Sequence, residues 1–281
     1  MPFFQNNTAR IYYEDTGAGE PVIATHGLIE NTTYWSKTGI APSLAKQFRV
    51  ISMDMRGHGQ TMETGEPKGY DIDTCMEDIT ALADHLGVGR FHLISHSTGG
   101  FISVALAMKD SSRIASLVLT GTASTTTMIQ DPVYNKAFHE RFASSFEKDS
   151  WETIMENIKN QPFPFFMGIA GVKNNQAMWD MAFDIIRTGN RTAIAEFIRS
   201  FYTDPDPKIE KLRTIKCPTL ILVGEKDTLF IEPSKLMANE IPGASLETIE
   251  GAGHMLAIER PELLKEKIGA FISVHPIKKD K

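Results

Sequence analysis

The chain has 281 residues, of which 42% are hydrophobic and 23% are charged, and its formal net charge at pH 7 is -6. This composition is that of an ordinary globular protein with enough length for one large domain or two small ones. The acidic balance and a pI near 5.8 provide no basic face for nucleic acid or anionic lipid, so neither is expected as a partner.

The N-terminal stretch MPFFQNNTARIYY contains neither the basic nor the apolar segment of a secretory signal peptide. No apolar run approaches the roughly 20 residues of a membrane span, so no membrane association is expected. Two cysteines, Cys75 and Cys217, are too few for a disulfide framework, and both are expected to be buried thiols. These features predict a cytoplasmic, reducing location.

Short β-rich runs alternate with helical patterns, which is typical of a mostly parallel sheet covered by helices. The predicted strands span residues 9–15, 21–26, 48–54, 91–96, 116–121, 218–224 and 245–250. Several are almost entirely apolar, as strands buried on both faces should be. Helical spacing predicts a helix from Ile72 to Leu86. Asp71 is its predicted N-cap and Gly87 its stop, and a final helix is predicted to begin near Pro261.

One region interrupts this alternation. Roughly 90 residues separate two predicted strands, far more than a usual connection. Helical patterns cover residues 131–146, 149–160, 174–189 and 192–203. We therefore predict a core formed by residues 1–124 and 215–281, with a helical cap, or lid, inserted at residues 125–214.

The stretch FHLISHSTGG, residues 91–100, places Ser97 between an apolar strand and a helical run. A serine hydroxyl is a weak nucleophile that needs a positioned base and donors for the oxyanion it creates. A sharp turn from strand to helix would present this hydroxyl, and it needs small residues two positions either side. Gly99 meets that requirement, and Ser95 is only slightly larger than the glycine of the G-x-S-x-G pattern. Alone, the pattern favours a serine that caps a helix.

Two later residues complete a catalytic set. Asp227 follows the strand TLILVG, and His254 lies in EGAGH after the last predicted strand. This order, Ser, Asp, His, is that of a triad built at the carboxyl ends of parallel strands. We predict Ser97 as the nucleophile, His254 as its base and Asp227 as the carboxylate that orients the imidazole. Glu225 is the competing carboxylate.

The oxyanion needs backbone donors as well. The turn after the strand PVIAT could direct the Leu28 N–H toward the site, and the Thr98 N–H would be the second donor. His26 precedes the glycine of this turn, so it is expected to brace the loop by hydrogen bonding rather than to catalyse.

Together these features resemble serine hydrolases of the α/β-hydrolase fold, nearly from end to end outside the cap. The motifs that carry the resemblance are the HG turn at 26–27 with Trp35 downstream, DMRGHGQT (54–61), SHSTG (95–99), VGEKD (223–227) and GAGH (251–254). The resemblance implies an α/β-hydrolase fold, with a mostly parallel central sheet flanked by helices. It also implies that three residues of DMRGHGQT brace a structural loop: Asp54, Arg56 and His58.

Ser97 argues against the epoxide hydrolases and haloalkane dehalogenases of this fold, which use Asp as nucleophile. No metal-ligand cluster or phosphate-binding loop is present in the sequence, so no cofactor is expected. The cap has no cationic cluster, which favours a neutral substrate. We expect hydrolysis of a small to medium, apolar carboxylic ester or lactone.

The candidate substrate-binding residues lie in QPFPFFMGIAG, namely Phe163, Phe166 and Met167. Packing of the cap on the core would explain the same apolar residues. The alternative activities are those of a lactonase, a C–C bond hydrolase or a cofactor-free perhydrolase of the haloperoxidase type. A small-molecule receptor of this fold is the non-enzymatic alternative.

Overall fold

The computed structural model describes residues 2–64, 70–124, 132–201 and 209–278, with only the backbone described at 132–135. Within these ranges the strands are Phe3–Asn6 (β1), Ala9–Gly17 (β2), Glu20–Thr25 (β3), Phe48–Met53 (β4), Met62–Glu63 (β5), Phe91–His96 (β6), Ile114–Thr120 (β7), Thr219–Gly224 (β8) and Ser245–Ile249 (β9). The α-helices are Thr33–Lys37 (α1), Ile40–Leu44 (α2), Ile72–His85 (α3), Ser97–Lys109 (α4), Pro132–Lys148 (α5), Trp151–Asn160 (α6), Met167–Ala170 (α7), Gln176–Ile186 (α8), Arg191–Phe201 (α9), Ile231–Glu240 (α10), Leu256–Glu259 (α11) and Pro261–Ser273 (α12). Two 3₁₀ helices span Pro164–Phe166 and Ile209–Thr214.

The strands form one sheet in the order β1-β2-β4-β3-β6-β7-β8-β9, and β5 pairs with β2. Strands β4, β3, β6, β7, β8 and β9 are parallel to one another. At one edge of the sheet, β2 pairs antiparallel with β4 and β1 pairs antiparallel with β2. The strand order reverses between β3 and β6. In open α/β sheets the crevice outside the carboxyl ends of strands at such a reversal is the usual ligand site.

The predicted strands are all present, and their ends differ from the prediction by at most about two residues. Strands β1 and β5 were not predicted. They are too short to show an alternating pattern and are stabilised by their pairing with β2. Every residue of β6, β7 and β8 is buried, which agrees with their apolar sequences and with helices on both faces of the sheet.

The helix boundaries follow local capping chemistry. The Asp71 carboxylate accepts a hydrogen bond of 2.9 Å from the Thr74 N–H at the start of α3. Gly87 follows the helix with a φ of +66°, a conformation that suits glycine. Helix α12 begins at Pro261. Both predicted helices are therefore confirmed.

Helices α5 to α9 lie in the chain between β7 and β8, in the region predicted to be helical. Arg199 of α9 binds Glu140 and Glu147 of α5, at 3.0 and 2.6 Å, and joins these two helices. We call residues 132–201 the helical insertion. The predicted cap also includes 125–131 and 202–208, which lie outside the described residues, and its role as a lid stays a prediction.

The remaining sequence features are placed as follows. Cys75 and Cys217 are buried free thiols, as expected. Within the described ranges, no helix combines the length and the apolar character needed to cross a membrane.

Candidate active site

Ser97 lies at the junction of β6 and α4, at the carboxyl end of the sheet. Its φ is +48°, in the left-handed region, which costs a residue other than glycine about 1–2 kcal/mol. Two hydrogen bonds stabilise this conformation. The Thr122 hydroxyl donates to the Ser97 carbonyl at 2.6 Å, and the Gly99 N–H donates to the His26 carbonyl at 3.0 Å. The sequence folds here into the sharp strand-to-helix turn that was predicted.

The glycines after Ser97 allow the helix to begin close to neighbouring backbone. A Cβ atom at Gly99 would lie 2.6 Å from the His26 carbonyl oxygen, and one at Gly100 would lie 2.6 Å from the Thr122 Cβ. Both distances are shorter than real Cβ contacts. The need for small residues on the helix side of the turn is therefore steric.

Ser95 is more than a tolerated small residue. It is fully buried, and its hydroxyl accepts a hydrogen bond of 2.9 Å from the Thr25 hydroxyl. It also shares a hydrogen bond of 2.6 Å with the Ser103 hydroxyl. Ser95 thus connects β3, β6 and α4 beneath the turn, a role that its sequence position did not indicate.

The structure brings Ser97, Asp227 and His254 together. The His254 Nε2 lies 3.1 Å from the Ser97 Oγ, and the His254 Nδ1 lies 2.8 Å from the Asp227 Oδ2. All three side chains are buried. An ionised carboxylate only accepts hydrogen bonds, so His254 Nδ1 carries the hydrogen and Nε2 presents its lone pair to the serine hydroxyl. This arrangement can remove the Ser97 proton.

Glu225, the competing carboxylate, points elsewhere. It is exposed, and its Oε2 accepts a hydrogen bond of 2.8 Å from the Gly251 N–H. Asp227, by contrast, is fully buried against the imidazole. The geometry therefore pairs His254 with Asp227.

The loop that carries His254 is held by Glu259, which sequence reasoning did not identify. Its carboxylate accepts hydrogen bonds from the Gly253 N–H at 2.7 Å and from the Met255 N–H at 3.1 Å. Burial raises the pKa of Glu259, and these two donors act in the opposite direction. Glu259 therefore fixes the backbone on both sides of the imidazole.

Gly121 is a second residue that the sequence did not single out. Its φ is +52°, and a Cβ there would lie 3.1 Å from the His254 Nδ1 and 3.3 Å from the Asp227 Oδ2. A side chain at this position would both strain the backbone and crowd the Asp–His hydrogen bond.

The HG turn lies directly beside Ser97. A Cβ at Gly27 would be 3.0 Å from the Ser97 Cβ, so the turn packs against the serine. Leu28 is the next residue of this turn, and Thr98 is a buried residue in the first turn of α4. Both predicted oxyanion donors therefore belong to segments that border Ser97, and their role stays a prediction.

His26 has both ring nitrogens engaged with backbone. Its Nε2 accepts a hydrogen bond of 3.0 Å from the Met55 N–H, so the hydrogen is on Nδ1, 2.8 Å from the Gly27 carbonyl. Burial, together with the nearby His58, lowers the pKa of His26 well below its usual value. This neutral ring ties the HG turn to the loop after β4, as a bracing residue would.

The residues of DMRGHGQT also form structural contacts. Asp54 accepts hydrogen bonds from two backbone N–H groups at 2.6 and 2.7 Å, and burial raises its pKa to about 6. Arg56 forms a buried ion pair with Asp78 at 2.6 Å. His58 Nδ1 lies 2.8 Å from the Arg56 carbonyl, and burial lowers the pKa of His58 to about 4. These contacts agree with the bracing role that the resemblance implies.

Aromatic side chains surround the His254 imidazole. The Phe230 ring stacks on His254 with centroids 4.8 Å apart, and the Phe165 ring lies 5.0 Å from it at an angle of 45°. The centroids of Phe165 and Phe230 are 6.4 Å apart. These two rings form an apolar surface next to His254.

The predicted substrate-binding residues lie around Phe165 but make other contacts. Phe163 packs on phenylalanine rings of α5. Phe166 is buried and stacks on Trp179 at 5.9 Å, and the Met167 side chain is 52% exposed. The ring that reaches His254 is that of Phe165, from the same phenylalanine-rich stretch. The part of the other three in substrate binding stays a prediction.

The helical insertion contacts the HG loop and the loop that carries His254. The Asn31 side chain donates to the Ile185 carbonyl at the end of α8 and, at 2.6 Å, to the Thr188 hydroxyl. On the other side, a Cβ at Gly253 would lie 2.7 Å from the Gly168 Cα. The insertion is therefore packed against the HG loop and against the His254 loop.

The described part of the chain groups no three His, Cys, Asp or Glu side chains in the way that a metal site requires. Two carboxylates beside His254 already accept hydrogen bonds, Asp227 from the imidazole and Glu259 from backbone. What these residues can supply is a nucleophile, a base and an oriented proton path.

Comparison with known proteins agrees with this architecture. The family model of the α/β hydrolase fold matches residues 20–261. The chain therefore belongs to the α/β hydrolase fold family.

Individual relatives cover almost the whole chain. It is 26% identical over 290 residues to the putative carbamate hydrolase RutD of Caulobacter sp. strain K31, covering 96% of this chain and 98% of that protein. Identity to the 2-hydroxymuconate semialdehyde hydrolase of Pseudomonas sp. strain CF600 is also 26%, covering 94% of this chain and 90% of the relative. A thermophilic esterase from Thermogutta terrifontis superposes with a TM-score of 0.81 at 27% identity, over 95% of each chain.

One relative is considerably longer. The chain is 28% identical over 262 residues to the dihydrolipoyllysine-residue acetyltransferase component of the acetoin cleaving system of Pseudomonas putida, and it spans 64% of that protein's length. The family match and the relatives that are covered over nearly their whole length support hydrolysis as the general activity. The chain is a hydrolase of the α/β fold.

Proposed function

We propose that this chain is a serine hydrolase that cleaves a carboxylic ester of a small to medium, neutral and apolar substrate through an acyl-enzyme. The observation that carries the proposal is the pair of hydrogen bonds of His254, at 3.1 Å to the Ser97 Oγ and at 2.8 Å to the Asp227 Oδ2. A buried serine, imidazole and carboxylate in this arrangement are the parts that acyl transfer requires.

In the first half of the reaction, the Ser97 Oγ attacks the ester carbonyl carbon while His254 Nε2 takes the hydroxyl proton. Asp227 accepts the hydrogen bond from Nδ1 and stabilises the imidazolium that forms. The backbone N–H groups of Leu28 and Thr98 hold the negative charge that develops on the carbonyl oxygen.

In the second half, His254 returns the proton to the leaving alcohol, and the acyl group stays on Ser97. Water then enters, His254 takes one of its protons, and the hydroxide attacks the acyl carbonyl. Collapse of this intermediate releases the carboxylic acid and returns the proton to Ser97. The steps need only groups that the chain itself provides.

The surroundings of His254 support a neutral substrate. The rings of Phe165 and Phe230 provide an apolar contact surface. The nearby carboxylates of Glu30 and Glu259 are buried and would repel an anionic substrate. Lactones fall within the same proposal, because they are cyclic esters.

A second candidate is the hydrolysis of a C–C bond in a vinylogous diketo acid. It is favoured by the 26% identity to 2-hydroxymuconate semialdehyde hydrolase over 94% of this chain. The same serine and histidine would serve that reaction. Perhydrolysis on the same triad is a further alternative. Ligand binding without turnover, as in a receptor, is an outcome that the experiment below separates.

The test is labelling with a fluorophosphonate, followed by a hydrolysis screen with neutral and charged esters from acetyl to octanoyl, lactones of several ring sizes and a vinylogous diketo acid. We expect the label on Ser97 and turnover of neutral esters. Ser97→Ala should lower kcat by about 10⁴–10⁶-fold. Ser273→Ala, a serine on the exposed side of α12, is the matched control and should behave as the wild type.

Other results would contradict the proposal. Turnover of charged substrates alone would contradict the neutral ester, and cleavage of the diketo acid alone would favour the second candidate. A labelled Ser97 without multiple turnover of any substrate would favour a receptor.

A further inference from the structure

Glu30 is a buried carboxylate beside the nucleophile that the triad does not use. Its side chain is 3% exposed, and a buried charge is unfavourable unless its oxygens are paired. The Glu30 Oε2 accepts a hydrogen bond of 2.6 Å from the Gly27 N–H. The Glu30 N–H in turn donates to the Gly27 carbonyl at 3.2 Å. Glu30 therefore holds both hydrogen-bonding groups of Gly27 and closes the four-residue turn from 27 to 30.

This turn is strained. Ile29, its third residue, has a φ of +61°, where turns of this type place glycine. A β-branched residue in the left-handed region is a rare conformation that persists only where the surroundings enforce it. The clamp of Glu30 on Gly27 is such an enforcing contact. Without this contact, Ile29 would be free to leave the strained left-handed conformation.

The second oxygen of Glu30 faces His96. The His96 Nε2 lies 3.4 Å from the Glu30 Oε1. The other ring nitrogen, Nδ1, lies 3.1 Å from the Thr120 carbonyl, which can only accept, so Nδ1 carries a hydrogen. The Thr120 hydroxyl is also near Nδ1, but it donates to the Ser95 carbonyl and cannot donate to the ring. Within the described residues the His96 Nε2 has no hydrogen-bond partner, and the Glu30 Oε1 is the carboxylate oxygen that lies beside it.

The His96 ring is itself held by packing. Its ring stacks on Tyr34 with centroids 4.6 Å apart and planes at 11°, and it lies 4.8 Å from the His254 ring. The Tyr34 hydroxyl accepts a hydrogen bond of 3.3 Å from the Ala257 N–H. The two oxygens of Glu30 thus join the HG turn to the residue that precedes Ser97.

We propose that Glu30 is a positioning residue for the ester hydrolysis proposed above, on which this inference rests. Its carboxylate holds the Gly27–Glu30 turn in a strained form, and thereby keeps the Leu28 N–H in place beside Ser97 as an oxyanion donor. The assignment follows from the packing of Gly27 against Ser97, where a Cβ would be 3.0 Å from the Ser97 Cβ. Glu30 acts through the backbone and does not touch the substrate.

Two variants separate hydrogen bonding from charge. In Glu30→Gln, the amide oxygen can accept from the Gly27 N–H and the amide nitrogen can donate to the His96 Nε2, so both contacts survive without charge. We expect its kcat to remain within about threefold of wild type. Glu30→Leu can form neither contact, and its kcat should fall by about 10²–10³-fold, the loss typical of one oxyanion donor, with KM nearly unchanged.

A boronic acid, which mimics the tetrahedral intermediate, gives a readout that does not depend on turnover. Its affinity should fall in Glu30→Leu by about the same factor as kcat/KM and should be retained in Glu30→Gln. The matched control is Glu63→Leu. Glu63 lies in the short strand β5. Its Oε1 accepts a hydrogen bond of the same 2.6 Å length from the N–H of a glycine, Gly57. This variant should keep wild-type kcat and boronate affinity.

The outcomes are distinct. Wild-type kcat and boronate affinity in Glu30→Leu would overturn the inference, as would a Glu30→Gln variant as impaired as the leucine variant. If circular dichroism shows that Glu30→Leu does not fold, Glu30→Asp, which withdraws the carboxylate by one methylene, is measured instead and should lose kcat at unchanged KM. Failure of the proposed function would be visible in the wild type itself, as absence of fluorophosphonate labelling and of ester turnover.

Discussion

The ring of Phe165, in the helical insertion, lies 5.0 Å from the imidazole ring of His254, in the loop that follows the last strand of the sheet. The insertion therefore contributes an apolar side chain to the immediate surroundings of the proposed base. If His254 is the base, Phe165 would limit the size of the substrate at the point where the insertion packs against the sheet.

Replacement of Phe165 by alanine removes an apolar contact next to the reacting groups. We expect KM for neutral esters to rise about tenfold, since burial of an apolar side chain contributes about 1.5–3 kcal/mol and this ring is only partly buried. The effect on kcat should be smaller. Steady-state kinetics across the acyl series measures both.

The predicted lining residues provide the comparison. Phe166→Ala should lower the free energy of unfolding by about 3–5 kcal/mol, because the side chain is buried against Trp179, while KM changes little. Met167→Ala should change neither value. A rise in KM for these two variants and not for Phe165→Ala would show that the pocket lies elsewhere.

The choice between the two carboxylates is also testable. Asp227→Asn should lower kcat by about 10⁴-fold, because the amide would donate to His254 Nδ1 and put the ring hydrogen on Nε2, facing Ser97. Glu225→Gln keeps an oxygen that can accept from the Gly251 N–H and should retain activity. A comparable loss in both variants, measured as kcat/KM for one ester, would contradict the assigned geometry.

Substitution of Ser95 tests the steric account of the turn beneath Ser97. Ser95→Gly should keep activity but lower the free energy of unfolding by about 2 kcal/mol, because the hydroxyl bonds to Thr25 and Ser103 are lost. Ser95→Leu should disrupt the turn, since no space exists for a larger side chain among buried neighbours. Urea denaturation and ester turnover measure the two effects. An active, normally stable leucine variant would refute this account.

Stability should depend on pH through His58. The pKa of this buried ring is about 4 in the fold and about 6.5 when unfolded, so between these values the unfolded chain binds more protons. The contribution of His58 to stability is therefore complete above pH 6.5 and is lost as the pH falls toward 4. At pH 5 the loss is about 2 kcal/mol.

The measurement compares wild type with His58→Gln, which has no such titration. Urea unfolding at pH 7.5 and pH 5 gives the difference in free energy of unfolding at each pH. We expect the advantage of wild type to shrink by about 2 kcal/mol at the lower pH. An unchanged difference would mean that His58 is not held neutral by its burial.

Much of the fold was predictable from local patterns. Apolar runs identified β3, β4 and β6 to β8 because these strands are largely buried on both faces, and Asp71 and Gly87 marked the ends of α3 because capping is local chemistry. The short strands β1 and β5 have no such pattern and exist through pairing with β2.

The candidate site was only partly predictable, and the reason differs between residues. Ser97, Asp227 and His254 could be proposed because each follows a strand and their order is informative. Glu30 and Phe165 carry no motif that separates them from other glutamates and phenylalanines. Their importance comes from contacts with residues far away in the chain, such as His96 and His254.

The sequence by itself determined the alternation of strands and helices, the strand ends at which the reactive side chains lie and the small residues around Ser97, because these depend on periodicity and on local sterics. Only the tertiary structure decided which carboxylate meets His254, which aromatic ring covers it and how Glu30 and Glu259 hold the two loops. Those outcomes depend on the packing of segments that are distant in sequence, where a shift of an ångström makes or breaks a hydrogen bond.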